Sequence, residues 1–204
     1  MNARSTEQAT ATSALAALVL LTTFGEAAAQ GTRPSLHRIA VRSCGTADSL
    51  VGPLEDTRAW VRGSYDPRSD STWLVSGDMV FSTHAMVTFP GRRLIGYPAA
   101  QLNVVVREQA ARLLLSAPDP LPTSLVLDDS VVLQPTVVVK GTYVGPGEPT
   151  VAPIIMGLRD IEFLQLARAR RALVNIDDIK LRLGKETLRD IAALYRVALC
   201  AEIR

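Results

Sequence analysis

His37 and His84 are the only histidines among 204 residues, so general acid–base chemistry has few places to sit in this sequence. His84 lies in an alternating run, Met79 to Phe89, on the more polar side with Ser82 and Thr88. A Ser–His nucleophile requires a direct hydrogen bond, but residues two apart on a strand share a face at a spacing of about 7 Å. Ser82 is therefore a poor nucleophile for His84, and a hydrolase built on His84 must draw its partner from elsewhere in the chain. No C-x-x-C, H-x-x-H or H-E-x-x-H spacing occurs, so no metal site and no cofactor is expected.

Gly184-Lys185-Glu186-Thr187 follows a strand-like run and opens a helix-like one, which is the setting of a phosphate loop. The motif fails because Ile179 stands where its first glycine belongs and Glu186 where Ser or Thr must follow the lysine. No G-x-G-x-x-G or G-x-S-x-G is found. The carboxylates gather as Asp66 with Asp70, Asp128 with Asp129, and Asp177 with Asp178. Such loops bind calcium in some exported β-proteins, and paired acids serve glycosidases. Turn formation explains the same residues more simply, because Asp bonds its own backbone and tolerates turn geometry.

Cys44 and Cys200 are the only cysteines. In an oxidising compartment an even pair is expected to be bridged. On a terminal helix at 100° per residue, Leu188, Ile191, Leu194, Tyr195 and Ala198 gather on one side, while Cys200 falls with Arg189, Ala193 and Arg196 on the other. Cys200 is thus expected to face away from the core, where an N-terminal segment lying over the helix can reach it. A Cys44–Cys200 disulfide would close a loop of about 155 residues.

The compartment follows from the N-terminus. Arg4 supplies a positive start, Ala14 to Phe24 a Leu/Ala/Val-rich run, and Ala27-Ala28-Ala29 the small residues of a signal-peptidase site. Cleavage after Ala29 would leave Gln30 as the first residue. The apolar run is too short for a bilayer span of about 20 residues, and no lipobox precedes Cys44. The expectation is a periplasmic or secreted protein without a stable membrane span.

Residues 30–204 fit one domain, read as an extended arm at 30–56 and a β-rich domain at 57–204. The formal net charge of +2 argues against a nucleic-acid surface. The densest basic stretch, Arg168-Ala169-Arg170-Arg171, reads as a solvated face at an element end.

Strands are expected at Leu36–Cys44, Arg58–Tyr65, Trp73–Val75, Met79–Phe89, Leu102–Arg107, Leu113–Ser116, Thr123–Leu127, Val131–Leu133 and Thr136–Tyr143. Turns fall at Asp66–Asp70, and loops at Pro118–Pro122 and Gly145–Pro149. Asp160–Arg171 fits either a short helix opened by Asp160 or a strand end. Ala172–Leu183 forms a hairpin around Asp177-Asp178 that sets Ile176 against Ile179, Val174 against Leu181 and Ala172 against Leu183. The chain ends in an amphipathic helix capped by Thr187, with Asp190 three residues on.

The fold class is α+β, mainly antiparallel β: a β-sandwich or strongly curved sheet with the hairpin packed against the C-terminal helix. The function expected is a non-catalytic binding or structural domain whose partner is an unknown envelope or extracellular protein or surface. Trp60, Tyr65, Trp73 and Tyr97 are the candidate partner-binding rings, because they lie near loops or strand ends. The alternative is an exported hydrolase using His84 or a loop carboxylate.

Overall fold

A computed structural model of the chain describes residues 37–39, 41, 44–52, 61–77, 82–92, 99–141 and 151–201. The signal segment 1–29, the Gly145–Pro149 loop, the start of the Met79–Phe89 run, Trp60 and Tyr97 lie outside the described residues.

The N-terminal elements are β1 (His37–Ile39), α1 (Gly45–Val51), β2 (Val61–Asp66), β3 (Ser71–Ser76), β4 (His84–Pro90), β5 (Ala99–Arg107) and α2 (Glu108–Ser116). They are followed by β6 (Thr123–Leu127), β7 (Val131–Leu133), β8 (Val137–Lys140), β9 (Val151–Leu158), α3 (Asp160–Arg168), β10 (Ala172–Ile176), β11 (Ile179–Arg182) and α4 (Lys185–Ala201). Strands β1 to β5 run as an antiparallel meander. The chain then leaves for a second sheet, returns to the first with β8 and β9, and leaves again with β10 and β11. The large sheet has the order β1-β2-β3-β4-β5-β9-β8 and the small one β11-β10-β6-β7.

Register explains how one apolar core forms. On β5, Ala100, Leu102, Val104 and Val106 point to one face and stand opposite Leu158, Met156, Ile154 and Ala152 of β9. All eight are buried, the two-residue period of a strand turning every second side chain inward. Leu125 and Leu127 of β6, and Ala172, Val174 and Ile176 of β10, join the same cluster from the small sheet. Leu114, Phe163, Leu166, Leu188, Ile191 and Leu194 complete it from α2, α3 and α4. Helix α4 lies on β2, β3 and β4 and beside α3, where the Phe163 and Tyr195 rings meet edge to face at 5.4 Å.

Several local expectations are corrected. Leu113–Ser116 belongs to a helix, because Ala111 and Leu114 are the positions that turn inward while Leu113 is 59% exposed. That three-residue spacing is helical. Within the segment read as an extended arm, Gly45–Val51 is a helix. Asp160–Arg168 resolves to a helix, and its cap is Arg159, whose backbone N–H is held by the Glu162 carboxylate at 2.8 Å. Helix α4 begins at Lys185, so Thr187 lies inside its first turn and Gly184 takes the capping position, accepting the Leu188 N–H at 3.1 Å.

β9 has no counterpart in the sequence reading, because Pro153 within it argues against an inner strand. The Pro153 carbonyl accepts the Gly141 N–H at 2.8 Å, just past the end of β8 at Lys140. The missing proline donor therefore points to the side where the neighbouring strand has run out. A Cβ on Gly141 would lie 2.8 Å from Pro153 Cγ, so this crossing requires glycine.

The hairpin has the expected register: Ile176 stands opposite Ile179 and Val174 opposite Leu181, and the Leu183 N–H reaches the Ala172 carbonyl at 2.9 Å. Asp177 takes φ 52°, a left-handed turn conformation that aspartate tolerates.

Candidate functional site

His84 sits at the start of β4 opposite Asn103 of β5 and is 6% exposed. Its Nδ1 lies 2.8 Å from the Ser82 carbonyl oxygen and its Nε2 lies 2.9 Å from the Asn103 side-chain amide nitrogen. A carbonyl only accepts and an amide nitrogen only donates, so Nδ1 carries the proton and Nε2 accepts. Both ring nitrogens are thereby engaged, one just before β4 and one across to β5. The Ser82 contact is made by its backbone oxygen.

The carboxylates hold turns. Asp66 accepts the Arg68 N–H at 2.9 Å and the Ser69 hydroxyl at 2.8 Å, and Asp70 accepts the Tyr65 hydroxyl at 2.7 Å. Asp128 accepts the Arg170 and Arg171 N–H groups at 3.0 and 2.8 Å, and Asp129 pairs with Arg171 at 2.8 Å. Asp70, Asp128 and Asp129 all have positive φ, the backbone signature of tight turns. Asp177 and Asp178 are exposed at the hairpin tip. Among the described residues, no group of three His, Cys, Asp or Glu side chains is placed to hold a metal ion.

The Arg68 N–H, with help from the Ser69 hydroxyl, holds the Asp66 carboxyl below the usual carboxylate range despite some desolvation. A folded-state value below the unfolded one adds stability that is present above about pH 4 and is lost as pH falls through the folded value. Asp66→Asn keeps an acceptor but cannot ionise. Its urea midpoint should lie below the parent's near neutrality, and the two should converge as pH falls through the folded value; a gap that stays constant from neutral to acid pH would contradict this role.

Of the four rings read as partner contacts, two are described. Trp73 is 2% exposed and packs with Val75 and Met86, so it is core and not a presented surface. Tyr65 is half-buried, with the Arg92 guanidinium 4.7 Å from its ring centre.

The described surface offers a different feature, where the end of α3 meets the start of α4. A shallow, open cleft of about 310 Å³ is lined by Ala167, Ala169, Leu188 and Ala192 together with Arg170, Lys185 and Arg189. Arg189 is tied to Asp190 at 3.3 Å. Arg170 and Lys185 form no ion pair among the described residues, whereas Arg168 reaches the Leu50 carbonyl and Arg171 reaches Asp129. Sequence reasoning treated Arg170 and Lys185 separately, yet the signal was available. A hairpin closed by Ala172 against Leu183 must bring the residues just outside it together.

The disulfide lies on the far part of α4: Cys44 and Cys200 are bonded, with Cα atoms 6.0 Å apart. Ala193 and Arg196, on the helix side expected to face away from the core, are nevertheless buried. Helix α1 packs against α4 there. Arg196 bonds the Asp48 carboxylate and the Gly52 carbonyl. No family model, curated protein or solved structure matches the chain.

Proposed function

We propose that the protein is an exported, non-catalytic domain that binds an anionic, phosphate-bearing component of its compartment through the cleft between α3 and α4. The observation that carries this reading is the meeting of Arg170 and Lys185, without carboxylate partners among the described residues, in a cleft that also has apolar lining residues. Cations held apart from counter-charges attract anions and steer their approach. The apolar lining suits a ligand with a hydrocarbon portion next to its charge.

Export is supported by Arg4, Ala14–Phe24 and Ala27-Ala28-Ala29. The Cys44–Cys200 bond suits an oxidising compartment. Among the described residues no helix is long and apolar enough to cross a membrane. The hydrolase alternative has less support, since both His84 nitrogens meet Ser82 and Asn103, and Asp66, Asp70, Asp128 and Asp129 are taken up by backbone and side-chain donors.

The test is cosedimentation with phosphatidylglycerol vesicles, using phosphatidylcholine vesicles as the uncharged control and inorganic phosphate as competitor. Removing both cations by Arg170→Gln with Lys185→Gln should weaken binding about thirtyfold, taking roughly 1 kcal/mol per cation near an anionic surface. The thermal midpoint should not change, because both side chains are exposed. Equal binding by parent and variant would remove the cleft from the account, and no preference of the parent for the anionic vesicles would remove the proposed ligand class.

A further inference from the structure

We infer that residues 44–52 form a redox-released strap over α4, closed by the Cys44–Cys200 bond and opened by its reduction. This inference goes beyond the binding reading and does not depend on it. Helix α1 has seven residues, far below the length at which a helix is stable alone. Among its residues only Ala47 is fully buried and Val51 is half-buried against the main core, so apolar contacts hold it at few points.

What holds it is polar and covalent, at both ends. Cys44 at its N-terminal boundary is bonded to Cys200. Near its C-terminal end, the Leu50 and Gly52 carbonyls accept from Arg168 and Arg196, and Asp48 pairs with Arg196. Arg196 is 2% exposed, and among the described residues its side-chain bonds go to the strap. Asp48, at 37% exposed, remains partly in water.

Desolvating a guanidinium cancels much of what its ion pair returns. Lifting the strap would rehydrate Arg196 and leave Asp48 in solvent, so the polar contacts favour closure only weakly. The covalent bond is then the term that keeps the strap down. Both cysteines are half-buried, which leaves the disulfide within reach of a small thiolate. In the opening step, a dithiol attacks one sulfur to give a mixed disulfide and its second thiol then displaces the protein. The products are two protein thiols and one cyclic disulfide, with both electrons supplied by the dithiol. Opening uncovers Arg196 on α4.

The experiment uses the full chain in three forms: oxidised, treated with dithiothreitol, and carrying Cys44→Ser with Cys200→Ser. Hydrogen exchange of amides 45–51 should accelerate about tenfold or more in the second and third forms. Arg196 should become reactive to phenylglyoxal, while amides of β5 and β9 stay far better protected than those of 45–51. Unchanged protection of 45–51 on reduction would overturn the strap. So would equal protection of 45–51 and of β5 and β9 in the reduced form, because the segment would then open only when the whole domain unfolds. The dithiothreitol-treated parent decides the matter if the serine variant does not fold.

Discussion

Serine at both Cys44 and Cys200 is expected to lower the stability of the domain by up to about 5 kcal/mol, the largest effect of any change considered. The bond spans a sequence separation of 156 residues, and the chain-entropy model assigns about 5 kcal/mol to a loop of that size. This is a ceiling, because the thiol form of the native state also gains freedom when the strap lifts and Arg196 regains water. For a domain of this size each kcal/mol moves the thermal midpoint by roughly 2–4 °C, so a fall of about 10–20 °C is expected. Scanning calorimetry of the oxidised parent and the variant measures it directly. Dithiothreitol should bring the parent down to the midpoint of the variant and leave the variant where it is. A shift below about 2 °C would show that the cross-link constrains little of the unfolded chain.

The Cys44–Cys200 pairing was legible because two facts converged: only two cysteines exist, and the helical wheel put Cys200 off the main apolar stripe. The same wheel misplaced Arg196, since local periodicity says nothing about a segment almost 150 positions away that comes to lie over it. Helix α1 was illegible for the related reason that its stability comes from Arg168, Arg196 and Cys200, none of them near it in sequence.

The hairpin was the opposite case. Both of its strands alternate cleanly around a turn pair, so the pattern alone specified the register. Leu113-Leu114-Leu115 hid the helical period of α2 inside a continuous apolar run. Pro153 and Gly157 masked β9, although the proline sits where no donor is needed. The cleft was latent in the hairpin register, which fixes Arg170 and Lys185 just outside the Ala172–Leu183 closure.

Trp73 separates the two ways in which an aromatic side chain near a turn can be read. Its neighbours across the sheet are Ser64 on β2 and Thr88 on β4, and its ring shares the sheet face away from the main core with Val75 and Met86. His84 and Asn103 are buried on that same face. Truncating a buried tryptophan leaves a cavity that a sheet held by register on both sides cannot readily close. Trp73→Ala is therefore expected to cost about 3–5 kcal/mol, measured by urea unfolding of the oxidised protein. A surface ring used for partner contact would behave differently, changing stability by no more than about 0.5 kcal/mol while reducing binding. Vesicle binding, measured well below the unfolding midpoint, should survive in Trp73→Ala because the cleft residues lie on α3, α4 and the turn after α3. Retained stability with lost binding would return Trp73 to the partner surface; lost stability with retained binding assigns it to packing.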